Sequence, residues 1–270
     1  PLIVCDFIQQ LYNTIDAFIL AQYATADSFA ALGIAETFVN LFTFILIGVC
    51  IGTSVILAAE YGARHYVFFR QEMFISTCFG VGITAFLAIF GYIFLKPSLV
   101  ALSTPDALLP LTIKYLQIYL IGLIFTFLYN YGVSVLRSVG NTKTSAIILF
   151  FSLFLKCGFS YFFIVFRNFG IAGAAYGTIC TQAFATCIFL FYLKKMLPQL
   201  IFTRADMVWN KELVHETISY SVMTALQQSS LYIGKILVQN AVNGLGTAVI
   251  AGFAAATRLE SFINILGNSG

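Results

Sequence analysis

Residues 1–20, PLIVCDFIQQLYNTIDAFIL, place two carboxylates and three amides in a stretch otherwise dominated by Leu, Ile, Val, Phe and Tyr. At helical spacing Asp6, Gln9, Asn13 and Asp16 lie three, four and three residues apart, so they share one stripe of a helix whose remaining surface is apolar. A carboxylate near the middle of a bilayer costs ~2.5–3.5 kcal/mol on insertion scales. The stripe must therefore face protein or water, and Asp16, the deeper acid, is the first candidate for a functional site. The competing reading is that the stripe only joins helices through hydrogen bonds.

Outward from this helix, 60% of the 270 residues are hydrophobic and only 9% are charged, with a mean hydropathy of +0.93. Soluble domains carry about 25% charged residues, so this is a polytopic membrane protein of the all-α class. Eight spans follow, each near the ~20 residues that a bilayer requires: roughly 1–22, 30–59, 73–95, 110–135, 144–166, 171–193, 214–241 and 246–270. The apolar segments are too many and too far inside the chain for a signal peptide. Cys5, Cys50, Cys78, Cys157, Cys180 and Cys187 all sit in apolar stretches without a CxxC pair, which argues against a disulfide framework and against a metal site.

Orientation is read from the basic residues. Arg64, Arg70, Arg137, Lys143, Lys194, Lys195, Arg204 and Lys211 follow the second, fourth and sixth spans, whereas the other side holds only Lys96 and Arg167. This bias places the first set, and the start of the chain, in the cytoplasm. Lys114, Lys156, Lys235 and Arg258 fall within or at the ends of spans.

In span two, Gly48 and Gly52 form a small-xxx-small pair that predicts close helix packing. Glu36, near the outer end of that span, is expected in the wet headgroup region. The stretch EYGARHYVFFRQ reads as a basic, aromatic loop with His65 solvated, and span three, without charge, as packing or lipid contact. Span four carries Tyr115, Tyr119, Gly122, Thr126 and Tyr129 on one face, and Tyr119 and Thr126 are too deep to act as interface anchors. They are candidates to line a cavity for an aromatic cation. Span five sets Ser152, Lys156 and Ser160 on one face, and Lys156 has about twelve apolar or small residues before it and about ten after, which puts it near mid-bilayer. A buried ammonium needs a counter-charge, and Asp16, at similar depth, is the natural one. Span six opens with small residues and then offers Thr178, Thr181 and Gln182 as oxygen donors. Residues 194–213 form the long mixed-charge connection, expected partly at the membrane surface around Trp209.

Beyond that connection the pattern restarts. LYIGKILVQNAVNGLGTAVIAGFAAATRLESF can be laid on LYNTIDAFILAQYATADSFAALGIAETFVNLF at a shift of about 220 residues, a parallel internal repeat. The domain reading is a six-helix N-lobe over residues 1–193, a cytoplasmic linker over 194–213, and the first two helices of a repeated C-lobe over 214–270. A chain that stops inside span eight is expected to be truncated. No HExxH, GxSxG or paired-histidine cluster supports an enzyme, and no cofactor or nucleic-acid partner is expected.

The LYNTID stretch with Pro1 fifteen residues before Asp16, FAALGIAE in span two, LRSVGNTK after span four, IAGAAYGT opening span six and RLES in span eight together resemble the multidrug and toxic compound extrusion (MATE) family. The resemblance covers the whole chain. It implies a V-shaped pair of six-helix lobes, alternating access, and export of organic, often cationic, compounds against inward flow of protons or sodium ions. It also implies a multi-pass protein of the plasma membrane, here a bacterial inner membrane, with a cytoplasmic N-terminus, and a monomer at full length.

In such proteins the first-span aspartate, matched by Asp16, is the N-lobe coupling residue. Its usual partners are an asparagine and an aspartate in span five and a threonine in span six. Here those positions hold Lys156, Ser160 and Thr178, and the second-lobe acid would fall near Gln227 or Gln228, so only the threonine matches. An ammonium in the site repels a bound cation, which makes sodium the less expected coupling ion and protons the more expected one. The proton and ion coupling set is thus Asp16, Asn13, Lys156, Ser160 and Thr178, and the substrate cavity set is Gln9, Tyr119, Thr126, Gln182 and Gln228. Two alternatives stand beside an antiporter: a flippase for a lipid-linked precursor whose phosphates Lys156 and Lys235 would hold, and a non-transporting truncated membrane subunit.

Overall fold

In the computed structural model the described residues are 2–268 for the backbone and, for side chains, 11–260 without Asn13, Leu231 and Arg258. They form eight long α-helices, α1 Leu2–Tyr23, α2 Ala26–Gly62, α3 Tyr66–Ala101, α4 Leu109–Ser138, α5 Thr142–Tyr161, α6 Ile171–Met196, α7 Lys211–Asn243 and α8 Thr247–Asn268, and no strand among the described residues. Among those residues, five segments are long and apolar enough to cross a bilayer: Ala26–Gly62, Tyr66–Ala101, Leu109–Ser138, Thr142–Phe166 and Ile171–Met196. α7 is long enough at 33 residues, but Gln227, Gln228, Ser229 and Ser230 interrupt its apolar run. The chain is therefore an all-α, multi-pass membrane protein.

The helix starts follow local chemistry. Thr25 accepts the Ser28 N–H at 3.2 Å ahead of α2, Asn141 accepts the Thr144 N–H at 3.3 Å ahead of α5, and Asn210 accepts the Glu212 N–H at 3.0 Å ahead of α7. Lys194 and Lys195 lie in the last turn of α6, where cations complement the exposed carbonyls. Between the ends of α6 and α7, residues 197–210 hold only two short 3-10 turns, Pro198–Leu200 and Arg204–Asp206. EYGARHYVFFRQ is not a loop beyond His65: α3 begins at Tyr66, because a hydrophobic run continues through the basic residues and the helix outgrows the bilayer. α5 ends in a π-helical turn, Phe162–Phe166, which no sequence signal announces.

α2 is the spine, packed against α7, α4, α3 and α8, while α4 lies on α6 and α5 on both α6 and α1. Gly48 and Gly52 face the α7 backbone, where an added Cβ would sit 2.4 Å from Ala225 Cα and 2.6 Å from Ser221 N respectively. Phe86, Ile89, Phe90 and Ile93 on α3 form an exposed stripe at helical spacing, suited to lipid. The repeat is visible in the helix ends: α1 ends at Tyr23 and α7 at Asn243, each followed by a short turn and the next helix.

The 197–210 connection docks on α3 through Leu200 and Asp206, while Met207, Val208 and Trp209 stay exposed. Leu200 is fully buried, and Asp206 Oδ2 accepts from Arg70 Nε on α3 at 3.0 Å and from the N–H and hydroxyl of Thr203 at 2.9 and 2.7 Å. Burial would push the Asp206 carboxyl up, but these donors outweigh it and hold it below the usual carboxylate value. The clasp is thus present at neutral pH and is lost as pH falls through that lowered pKa. Charge-assisted hydrogen bonds of this kind contribute ~1.5–3 kcal/mol, so Asp206→Asn is expected to raise tryptic cleavage at Arg204 several-fold at neutral pH. A wild-type cleavage rate in the variant would show that the clasp does not hold the connection.

Candidate functional site

The sequence candidates converge where α1, α5 and α6 meet. Asp16 comes from α1, Lys156 and Ser160 from α5 one turn apart, and Thr178 from the start of α6. Lys156 Nζ donates to Asp16 Oδ2 at 2.6 Å, and Ser160 Oγ donates to Asp16 Oδ1 at 2.6 Å. Lys156 Nζ also donates to Thr178 Oγ1, which lies 3.1 Å from Asp16 Oδ2 and 3.0 Å from the Ala174 carbonyl. The ammonium faces the Tyr12 ring at 5.3 Å from its centroid. The Lys156 and Asp16 side chains are only 3% and 8% exposed.

The helices can close on this point because Gly177, beside Thr178, has no side chain. A Cβ there would lie 2.6 Å from Ser160 Oγ and displace the hydroxyl that serves Asp16. Both carboxylate oxygens of Asp16 therefore have donors, and the buried Lys156 ammonium is neutralised by the Asp16 carboxylate. A buried pair of this quality holds only while both partners stay charged.

The pair forms part of the wall of a cavity of about 790 Å³ lined by α1, α2, α4, α5, α6, α7 and α8. Tyr119 and Gln182 line it, joined behind the wall by Thr126, whose hydroxyl donates to Gln182 Oε1 at 2.7 Å, and Tyr119 shares a 2.8 Å hydrogen bond with Thr43 of α2. Thr126 is fully buried and positions the two wall residues instead of lining the cavity itself. Gln228 is half-buried on α7 and is not among the lining residues; Gln239, about three turns further along the same face, lines the cavity. Gln9 and Asn13 lie outside the described side chains. Glu36, expected in the headgroup region, is half-buried and lines the cavity, one turn from Gly33, where α2 packs against Ala254 of α8.

The cavity holds further charged groups, of which the sequence reading gave a binding role only to Lys235, and that one for the flippase alternative. Arg137, Lys235 and Glu260 line it, so its charged side chains, with Asp16, Lys156 and Glu36, are three of each sign. Tyr232 stacks on Phe44 with ring centroids 4.2 Å apart, and Lys235 Nζ lies 5.4 Å over the same tyrosine. The available signal was the position of Lys235 inside an apolar helix. Among the described residues the cysteines Cys50, Cys78, Cys157, Cys180 and Cys187 are free, and no group of three or more metal-ligating side chains occurs.

A multi-pass helical protein whose first helix carries a buried aspartate into a central cavity is the architecture of a membrane carrier. The MatE family model matches residues 1–162, and the chain belongs to that family, the multidrug and toxic compound extrusion proteins, whose members are transporters and not enzymes. The chain is 27% identical over 266 residues to the probable multidrug resistance protein YpnP of Bacillus subtilis (strain 168), covering 98% of this chain and 59% of that protein. It is 23% identical over 275 residues to the probable multidrug resistance protein YoeA of the same organism, covering 98% of this chain and 59% of that protein. The chain thus spans about three fifths of these relatives' length. A solved structure described as the inward-facing conformation of a multidrug resistance MATE family transporter of the MOP superfamily superposes with a TM-score of 0.85 at 22% identity, over 93% of this chain and 57% of that one.

Proposed function

We propose that the protein is a secondary active antiporter that exports organic, often cationic, compounds, with protons as the coupling ion and Asp16 as the coupling residue. Residues 1–193 form its six-helix lobe, 194–213 the connection on the cytoplasmic side, and 214–270 the opening hairpin of the second lobe. It works as a monomer in a bacterial inner membrane with the N-terminus inside.

The observation that carries this reading is the buried Asp16–Lys156 pair on the cavity wall. A proton arriving at Asp16 removes the counter-charge of Lys156, and an unpaired ammonium cannot remain buried at low cost. Lys156 then turns to the cavity water or α1 separates from α5, and either movement reshapes the wall against which a substrate rests. When Asp16 loses its proton to the other side, the pair re-forms and the wall resets. Sodium is disfavoured because the ammonium already occupies the position a bound cation would take beside Asp16, and Ser160 and Thr178 add no second negative charge. The apolar and aromatic lining with Tyr119, Phe44 and Tyr232 suits a flat organic substrate.

The test is dye efflux from vesicles holding the full-length protein, under an imposed proton gradient and under an imposed sodium gradient. The expected result is efflux driven by protons alone, abolished in Asp16→Asn. Sodium-driven efflux would overturn the assignment of the ion. Absence of export under both gradients, with binding of a polyprenyl phosphate that Lys235→Ala removes, would favour the flippase reading, to which the cavity lysines lend support.

A further inference from the structure

Glu72 lies on α3, outside the site above, and its side chain is fully buried against α7. Among the described residues no cation comes within ion-pair distance of it; its neighbour Arg70 is turned to Asp206. The donor that faces it is the hydroxyl of Thr217 on α7, 3.0 Å from Oε1 and 2.9 Å from Oε2. The same hydroxyl oxygen lies 2.7 Å from the Leu213 carbonyl one turn earlier in α7.

Three acceptors thus surround a group that has one hydrogen. If Thr217 gives that hydrogen to Leu213, the usual bond back along a helix, an ionised Glu72 faces only oxygen lone pairs. If Thr217 gives it to Glu72, one carboxylate oxygen of this fully buried side chain is still without a protein donor among the described residues. A neutral carboxylic acid removes the conflict: its O–H donates to Thr217 Oγ1, and Thr217 donates to Leu213. The surroundings oppose a charge as well. Ile56, Ile75 and Leu213 form a buried apolar cluster at this junction. The charged groups that face Glu72 from the packed helices are both acids, Glu60 on α2, which lies 3.3 Å from His65 Nδ1, and Glu216 on α7. From α4 the Tyr131 hydroxyl reaches the same turn of α3, 2.7 Å from Ser76 Oγ and 3.2 Å from the Met73 carbonyl.

We propose that Glu72 is a second proton-binding site of this protein, whose proton clasps α7 to α3 and whose loss releases them. The clasp sits where α3 and α7 begin, the end of the bundle that carries Arg64, Arg70, Arg204 and Lys211. It joins a helix of the first six to the first helix of the internal repeat, so its state sets whether that end is held shut. This goes beyond the Asp16 reading and stands independently of it. The sign follows from the hydrogen count: the contact is intact when Glu72 is neutral and weakens as pH rises.

The experiment is a distance measurement between spin labels at Phe68→Cys on α3 and Ile218→Cys on α7, both exposed positions, in the full-length protein in lipid with its other accessible cysteines replaced. The expected result is a distance that lengthens by about 2 Å from mildly acidic to alkaline pH, the scale of helix shifts at interfaces. The change is lost in Glu72→Gln, which stays neutral, and kept in Asp16→Asn. A pH-independent distance in the wild-type background, a change that survives Glu72→Gln, or one lost in Asp16→Asn would each overturn the proposal, and the last would leave the Asp16 reading standing. As a check that does not depend on Glu72→Gln folding, the infrared band of a neutral carboxyl in the wild type at neutral pH shifts in Thr217→Val. An unshifted band would overturn the assignment.

Discussion

Asp16→Asn is expected to lower the stability of the full-length protein by about 3–5 kcal/mol, the cost of leaving one partner of a buried ion pair alone. The reason is geometric. Lys156 Nζ is held between Asp16 Oδ2 at 2.6 Å, Thr178 and the Tyr12 ring, and its side chain is 3% exposed, so water cannot replace the lost charge without rearrangement. Lys156→Met alone leaves a buried carboxylate served only by Ser160 and Thr178 and is expected to cost a similar amount. The double variant Asp16→Asn/Lys156→Met should recover most of either loss, because removing both charges also removes the desolvation penalty. Thermal unfolding of the four proteins completes the cycle, and additive losses would show that the two groups do not depend on each other. Efflux separates structure from coupling: the double variant should regain stability and still fail to respond to a proton gradient.

Gly48→Ala carries the second large effect. The added methyl would lie 2.4 Å from Ala225 Cα and 2.6 Å from Ala225 N, and these are backbone atoms that no rotamer change can move. Overpacking usually costs ~1–3 kcal/mol, and Gly52→Ala, 2.6 Å from Ser221 N, should add to it along the same contact. The two together are expected to separate α2 from α7, lowering the unfolding midpoint and abolishing efflux. Gly82→Ala on α3 is the control, since a Cβ there meets nothing within 4 Å and stability should be unchanged or raised. An equal loss at Gly82 would show that close approach to α7 is not the cause, because Ala by itself favours the helix over Gly.

The helices were legible in the chain because a bilayer demands apolar runs of fixed minimum length, broken by polar and small residues where the backbone turns. The 220-residue repeat and the depth of Asp16 and Lys156 were legible for the same reason: position along a span is position in the membrane. Depth alone makes these two groups natural partners, and they meet at 2.6 Å. Their use in coupling is a proposal that rests on that meeting.

Other features have no signature along the chain. Glu72, two residues from Arg70 at the start of a helix, reads like any charge near a membrane surface, yet packing leaves it fully buried. Glu36 reads as a headgroup residue until α8 comes up beside it, and Gln228 as a cavity residue, yet the cavity meets that face of α7 about three turns further along, at Gln239. Gly177 matters only because Ser160 stands opposite. Apolar length and polar punctuation act on one segment at a time, so they settle where each helix runs and which residues share its face. Which faces meet depends on side chains more than a hundred residues apart closing on one another, and that fit made a buried ion pair at Asp16 on a cavity wall and set Glu72 against Thr217.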